Sequence, residues 1–304
     1  MLLGVVYTLS IIPRSMATSR MRFVVPGNGT YYIDLAKALS LQERKLHRQK
    51  KIYTVYGGYM KDQDGSIMHM NTAPNTWPIK RSVNRGFALW RKMISRTLRD
   101  MEGAGTGSYS DFKVFLTSNM GIDVLDPVDA SDNNLFDSAP EWDYSTLTTE
   151  DPADGAPADQ FDLHIVGPHI GSDPDWARIG LLQSWVNSRA IPDSAHPDLP
   201  AAFATDPLNN LFDAGDVQDD RLTILASEGD AAPYDEDTMF GNAVASHSAS
   251  NNLQRVSSSQ TSSSNPITPV MGFQAICGLI QVVVSGTDTA GEIVLDVETN
   301  GVKF

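Results

Sequence analysis

The feature that most restricts the fold is the apolar stretch FQAICGLIQVVVS near the C-terminus. No charged side chain occurs between Met271 and Gly286, and β-branched residues are frequent there. An uninterrupted apolar run, unlike an alternating one, is typical of a strand that is buried on both faces. It predicts one strand from Phe273 to Val284, a turn at SGTDTAG, and a second strand, EIVLDVE, that returns beside it as a hairpin. Such burial requires a second sheet, a covering helix or a neighbouring subunit.

The same stretch contains the only cysteine, Cys277. One interpretation is a catalytic thiol placed in the core, and the other is a small buried hydrophobe. A reactive thiolate needs a cation or a helix N-terminus nearby, and the flanking residues carry no charge. The sequence therefore favours the buried hydrophobe. A single cysteine also excludes a disulfide framework and a cysteine-based zinc site.

Most of the other apolar segments have the residue composition of β-strands. RFVVPGNGTYYIDL reads as two strands around a turn, and KIYTVYGGYM, SIMHMN, FKVFLTSN, EWDYSTLTT, FDLHIVGPHI and RLTILASE read as further strands. IGLLQSWVNSR fits a helix or a strand, and the serine-rich HSASNNLQRVSSSQTSSSNP predicts a mobile surface loop. Ser40 and Glu43 form a capping-box pattern that predicts a short helix from Leu41. About ten or eleven strands favour one jelly roll, since two barrels would need about sixteen.

The strongest helical signal runs from Trp77 to Met101. Thr76 is a candidate cap, and Pro78 falls in the first turn, where its missing N–H costs nothing. Spacings of three and four residues define one apolar stripe, typical of an amphipathic helix. Its members are Ile79, Val83, Phe87, Trp90, Ile94, Leu98 and Met101. The other faces are basic, which fits either a solvated surface or a contact with nucleic acid.

Charge is distributed unevenly, although the net charge of the chain is −14. Residues 1–100 contain 17 Lys and Arg against 5 Asp and Glu, a net charge of +12. The remaining residues contain 6 against 32, a net charge of −26. The basic third is suited to contact a polyanion that the acidic remainder would repel. The alternative is that both sets are solvated and partly neutralise each other.

The first residues, MLLGVVYTLSII, are apolar but too few to span a bilayer. No cation precedes them, as it would in a secretory signal. We interpret residues 1–20 as an N-terminal arm, or as an extension upstream of a start at Met16 or Met21. Residues 21–304 are then predicted to form a single jelly-roll domain with the helix 78–101 inserted.

No motif in the chain predicts a cofactor or a metal site. GAGTGS at 103–108 follows a helix and lacks the lysine of a phosphate loop. His164 and His169 are five residues apart, which places them on opposite faces of a strand. The acidic clusters DPVDASDNN, DAGDVQDD and PYDEDT do not match a calcium loop, and DQDGS is only a fragment of one. A loop-bound cation is the alternative, and solvated acidic loops are the simpler interpretation.

Glu141 and Asp143 flank Trp142 and form the one arrangement that would suit a sugar site. In an extended segment both carboxylates point one way and Trp142 the other. Two carboxylates could serve glycoside hydrolysis, but spacing in sequence does not give their separation in space. The simpler interpretation is a strand with one apolar and one polar face.

Three stretches resemble the major capsid proteins of small icosahedral viruses with circular single-stranded DNA genomes, of the kind found in environmental samples. They are VVPGNGTYYIDLAKALSLQERKLHRQKKIY, NTWPIKRSVNRGFALWRKM and the closing FQAICGLIQVVVSGTD with EIVLDVE, together about a third of the chain. The resemblance implies a mainly β fold: a jelly-roll sandwich with an eight-stranded core plus extra strands, one long amphipathic helix and long loops.

The resemblance also implies a structural protein of the virion, not an enzyme. The subunit would self-assemble through pentamers or hexamers into a shell, with its basic third towards the genomic DNA. An inner membrane or a minor capsid protein beneath the shell is the alternative partner, and the basic face would then meet lipid headgroups in the membrane case.

Residues 1–20 contain only Arg14 and Arg20, whereas many small capsid proteins have an arginine-rich arm. If the chain contacts DNA, folded elements must therefore make the contact. The candidate residues are Arg44, Lys45, Arg48, Lys50, Lys51, Lys80, Arg81, Arg85, Arg91, Lys92, Arg96 and Arg99.

Two other functions fit parts of the sequence. A non-enzymatic β-sandwich binding module, such as a viral spike or a carbohydrate-binding domain, would explain the strands and acidic loops but not the basic helix. A glycoside hydrolase ranks third. Assembly distinguishes these functions, because only a capsid protein forms large closed particles.

Overall fold

The computed structural model describes residues 17–100, 107–121, 123–135, 141–149, 159–172, 175–188, 253–286 and 290–304. These residues form fourteen strands and three helices, so the fold is mainly β with more strands than the sequence predicted. The first strand starts at Thr18, within the predicted arm. The predicted strand RLTILASE lies outside the described residues, and FKVFLTSN is an extended segment with one isolated bridge, between Phe115 and His164.

The first sheet joins both ends of the chain. Its order is β1 (Thr18–Val25), β14 (Gly291–Glu298) and β3 (Ile52–Lys61), and β3 then pairs with both β11 (Ile267–Val270) and β12 (Phe273–Ile276). All of these pairs are antiparallel.

The second sheet has the order β10 (Gln254–Gln260), β4 (Ser66–Thr72), β13 (Leu279–Gly286), β2 (Gly29–Asp34) and β5 (Val124–Leu125). Its pairs are antiparallel apart from β2 and β5, which are parallel. Turns predicted after β1 and β3 are present, but each leads into the opposite sheet and so makes no hairpin.

The two sheets face each other across one hydrophobic core, as in a β-sandwich. Phe23 and Tyr53 of the first sheet and Ile33, Met70 and Val282 of the second are all at most 2% exposed. Burying each large apolar side chain contributes about 1.5–3 kcal/mol, so this core is the main stabilising term of the sandwich.

One open side of the sandwich is closed by residues 123–128. The start of this segment pairs with β2 of the second sheet, and its end bridges to β1 of the first, where Val128 N donates to Arg22 O at 2.9 Å. The segment therefore covers an edge strand of each sheet.

The other open side is closed by hydroxyl groups of β10 and β11. Ser259 Oγ donates to Pro269 O at 3.0 Å, and Thr268 Oγ1 donates to Gln260 O at 2.6 Å. Ser257 and Ser259 are both buried. The serine-rich segment was predicted to be a mobile loop, and this prediction was wrong for 254–260, because its hydroxyls join the two sheets.

A long insertion between β4 and β10 contains the remaining described strands and two of the three helices. It contributes α2 (Trp77–Asp100), β5, a third sheet and α3 (Leu181–Asn187). The third sheet has the order β6 (Thr146–Thr149), β7 (Asp159–His164), β9 (Asp175–Gly180) and β8 (Ile170–Ser172). IGLLQSWVNSR thus enters a helix after the last residues of β9.

The insertion packs against the second sheet through a second core. Ile79 and Val83 of α2, Phe112 of the extended segment and Leu182 of α3 meet Leu279 of β13 there. The later members of the apolar stripe on α2, Phe87, Trp90, Ile94 and Leu98, are half-buried.

The predicted strand from Phe273 to Val284 is two strands in different sheets. Cys277 and Gly278 have φ values of 56° and 69°, and Gly278 N donates to Ala275 O at 3.2 Å, which closes a tight turn. The chain passes from one sheet to the other at this turn. The run is apolar throughout because it crosses both cores, so periodicity alone did not reveal the break.

The predicted hairpin with EIVLDVE is also wrong. β13 pairs with β2 and β4, whereas β14 pairs with β1 and β3 in the opposite sheet. The connection spans the sandwich and does not fold back on the same sheet.

The predicted start of the first helix and the predicted cap of the second need correction, whereas α2 begins at Trp77 as predicted. The first helix, α1, spans Leu35–Glu43, and its cap is Asp34, whose Oδ1 accepts from Ala36 N and Lys37 N at 3.0 and 3.1 Å. Ser40 instead donates its hydroxyl to Ala36 O at 2.7 Å within the helix. For α2, the Thr76 hydroxyl is buried and has no hydrogen-bond partner among the described residues, so it does not cap.

We expect Gly278→Ala to lower the free energy of unfolding by about 2–4 kcal/mol. An added Cβ would lie 2.9 Å from Tyr53 Cδ2 and 3.2 Å from Leu35 Cβ, in a conformation that side chains rarely adopt. Urea denaturation measures the effect. Gly121→Ala is the matched control, because no atom lies within 4 Å of its added Cβ. Equal stabilities of the two variants would contradict this description of the turn.

Candidate nucleic-acid interface

The outward face of α2 carries a row of cations that we call the basic stripe. Its members, at successive spacings of four, seven, four and three residues, are all exposed: Arg81, Arg85, Lys92, Arg96 and Arg99. In an α-helix these spacings keep the side chains on one face, and the row extends about 27 Å. The apolar stripe lies on the opposite face, so packing of the helix directs the basic stripe to solvent.

Within the described residues, no cation of α2 forms an ion pair with an acidic side chain. Arg85 Nη1 donates to Ser188 Oγ at 2.7 Å, and Arg99 Nε donates to Ser95 O at 3.3 Å. Asp100 is the only acidic residue of the helix. The stripe therefore keeps its charge available for an anionic partner.

A second group of cations comes from the loop after α1 and meets α2 at Phe87. Lys50 Nζ lies 4.2 Å from the centroid of the Phe87 ring, and Arg91 Cζ lies 5.7 Å from it. The pKa of Lys50 is lowered mainly by burial, and the nearby Arg91 lowers it further. The structure thus brings together two parts of the sequence-predicted set.

The rest of this loop forms a basic cluster with the C-terminus. Burial lowers the pKa of Lys51, and Lys303, Lys45 and Arg48 lower it further, which places these cations near one another. Lys303 was not among the predicted residues. Its position follows from the pairing of Val302 with Ile52 at the start of β3, a long-range contact that the sequence did not reveal.

Two members of the cluster are neutralised in part by acidic neighbours. Lys45 pairs with Glu43, and Arg48 Nη1 lies 2.9 Å from Asp111 Oδ1. Glu43 Oε2 also lies 3.0 Å from His47 Nε2. The cluster is therefore a weaker anion site than the basic stripe.

Arg44 and Lys80 occupy different surroundings from the other predicted residues. Arg44 has a left-handed conformation at the end of α1 and lines a cavity of about 350 Å³ with Arg20 and Arg22. Both of those arginines form ion pairs on the first sheet. Lys80 is half-buried on the flank of α2, away from the basic stripe.

A buried polar network anchors the loop after α1, which we call the basic loop because it carries Lys45, Arg48, Lys50 and Lys51. Gln49 Nε2 donates to Asp34 Oδ2 at 3.1 Å, and its side chain also exchanges hydrogen bonds with the backbone of Val114. Trp142 Nε1 donates to the same Asp34 oxygen at 3.0 Å. Sequence reasoning missed Asp34, although an aspartate between an apolar strand and the helical LAKAL is a common N-cap signal.

Other residues considered for chemistry have structural roles. His164 is buried with its Nε2 3.0 Å from Pro168 O, and burial lowers its pKa to about 4. His169 Nδ1 accepts from Gly180 N at 3.0 Å. Burial raises the pKa of the Cys277 thiol. In the described ranges, no group of three His, Cys, Asp or Glu residues is placed to hold a metal ion.

The acidic loop at 126–134 is organised by its own hydrogen bonds and by cations. Asp129 Oδ1 accepts from Ser131 N and Asn133 N at 2.7 and 2.9 Å, while Lys37 Nζ lies 2.7 Å from Asp126. In DQDGS, Asp62 accepts from Asp64 N at 3.0 Å and from the Ser66 hydroxyl. GAGTGS lies mostly outside the described residues, and the other two acidic clusters lie entirely outside them.

No protein-family model, curated protein or solved structure matches this chain. Among the described residues, none of the helices has the length and apolar character needed to cross a membrane.

We expect Asp34 to make the protein less stable as pH rises from about 4 to about 6. Burial raises its pKa to about 6 from the ordinary 3.8, so the folded state binds this proton more tightly than the unfolded state. The stabilisation is complete below the unfolded pKa and is lost as pH rises through the folded pKa. Urea denaturation across this range should show a smaller fall for Asp34→Asn than for the wild type.

The control for this measurement is Asp64→Asn, at an exposed position in the β3–β4 turn. It should reproduce the wild-type dependence on pH. Parallel curves for wild type and Asp34→Asn would show that Asp34 does not titrate in this range.

Proposed function

We propose that this chain is a major capsid protein of a small icosahedral single-stranded DNA virus, a jelly-roll subunit that assembles into a shell around the genome. The observation that carries the proposal is the pairing of its eight main strands. Counted along the chain, they are β1, β2, β3, β4, β10, β11 with β12, β13 and β14.

These strands pair first with eighth, second with seventh, third with sixth and fourth with fifth. That is a long antiparallel ribbon folded in the middle and then rolled, so that successive pairs fall in alternate sheets. Two facing four-stranded sheets built this way support the proposal of a jelly roll, an architecture found in viral capsid proteins. The extra strands and α2 then lie in the connection between the fourth and fifth strands.

The closed sides of the sandwich suit a subunit that repeats in a shell. Exposed edge strands pair readily with other chains and lead to open-ended aggregates. Here residues 123–128 cover one side and the β10–β11 hydroxyls hold the other. Copies would then associate through loops and sheet faces in pentamers or hexamers, and closed rings of that kind end growth.

The amphipathic character of α2 supports the assignment of a DNA-facing surface. Its apolar stripe is anchored in the second core, and the basic stripe is left free of ion pairs within the described residues. Contacts between such a row and phosphates do not depend on base sequence and weaken with salt. An inner membrane or a minor capsid protein is the alternative partner for this surface.

The purified full-length chain is expected to form large closed particles, because each subunit would bury interfaces of standard size or larger with several neighbours. Negative-stain images and light scattering should be recorded over a range of salt, with and without single-stranded DNA. Only monomers to trimers under all these conditions would contradict the proposal.

Replacing Arg85, Lys92 and Arg96 with Gln should reduce packaged DNA and lower the slope of log K against log salt for single-stranded DNA by about 2. The three side chains are exposed, so the free energy of unfolding should change little. The control variant replaces Arg20, Lys61 and Arg255 with Gln. It also removes three positive charges, but from β1, β3 and β10. An equal loss of DNA in both variants would place the contact elsewhere.

A further inference from the structure

A cavity of about 640 Å³ opens beside the middle of α2, within the size range of small-molecule sites. Its walls come from α2, from the segment 107–113 and from the segment 141–145. The side chains that matter here are Trp90, Tyr109, Asp111, Lys113, Glu141 and Asp143.

The segments 107–113 and 141–145 are held together by backbone and hydroxyl contacts. Ser145 N donates to Lys113 O at 2.8 Å, and Lys113 N donates to Ser145 Oγ at 3.0 Å. Lys113 Nζ lies 4.5 Å from the centroid of the Trp142 ring. The cavity is therefore formed before any ligand arrives, which lowers the entropy cost of binding.

The cavity combines aromatic surface with hydrogen-bond acceptors. Two aromatic residues line the cavity: Tyr109, which is 74% exposed, and Trp90, which is half-buried. Glu141 and Asp143 are exposed, while Trp142 between them turns inward to Asp34, so both carboxylates lie on the open side of the segment. Aromatic faces accept the C–H face of a sugar ring, and carboxylates accept hydrogen bonds from its hydroxyls.

Asp111 is held in the cavity wall by an ion pair. The residue is 6% exposed and lines the cavity. Its Oδ1 accepts from Arg48 Nη1 at 2.9 Å, which fixes the segment 107–113 against the loop after α1.

Charge restricts the class of ligand. Three carboxylates and one ammonium line the cavity, and within the described residues Arg48 forms an ion pair only with Asp111. The exposed Glu141 and Asp143 therefore disfavour phosphates and acidic sugars. Trp90 also lies on the face of α2 opposite the basic stripe, so the cavity and the proposed DNA surface point in different directions. We propose that this cavity binds a neutral oligosaccharide, a ligand additional to the proposed DNA and subunit contacts.

The test is binding of the full-length protein to an array of immobilised neutral oligosaccharides and their sialylated counterparts. The wild type should bind at least one neutral oligosaccharide and bind its sialylated form at least tenfold more weakly. Tyr109→Ala, and the pair Glu141→Gln with Asp143→Asn, should each weaken that binding at least tenfold. All three positions are exposed, and circular dichroism checks that the variants are folded.

Tyr56→Ala and Asp64→Asn are the matched controls, since they remove an exposed aromatic ring and an exposed carboxylate elsewhere. Both should bind as the wild type does. The proposal is overturned if no neutral oligosaccharide binds, if sialylated forms bind equally well, or if the cavity variants bind like the controls. Shells that bind no glycan would refute only this site, and a small oligomer that binds one would refute only the capsid proposal.

Discussion

Burial of β13 on both faces is the constraint on which the rest of the structure depends. Ile280 and Val282 project into the sandwich core, while Leu279 belongs to the second core beneath the insertion. Gln281, on that second side, is buried but satisfied by Asn71 and by the Tyr32 hydroxyl. The strand therefore couples the sandwich to the insertion that carries α2, and a change in its position would disturb both cores.

A buried carboxylate links the basic loop to this framework. Asp34 ends β2, caps α1 and accepts hydrogen bonds from Gln49 and Trp142, so three segments distant in sequence meet at one side chain. Burial opposes its charge, while the four donors favour it. The positions of Lys50 and Lys51 follow from this network, because it holds the backbone of the loop that carries them.

The two faces of α2 separate two kinds of chemistry. One face carries cations held apart from acidic side chains, and the other contributes Trp90 to a cavity lined mainly by carboxylates. Trp90 belongs to the apolar stripe that anchors the helix, and the basic stripe lies on the opposite face of the helix. In the shell that we propose, that geometry would allow one surface to face a genome and another to face the outside.

Patterns local in sequence determined much of this protein. The helix at 77–100, the strands around PGNG and KDQDG and the row of cations on α2 were all predictable, because each depends on residues within a few turns of one another. Tertiary structure alone decided the break at Cys277, the sheet assignment of β14, the use of serines to join β10 to β11 and the approach of Lys303 to Lys51. Each of these depends on partners far apart in the chain, and a run that is apolar throughout carries no periodicity to show where it changes sheets.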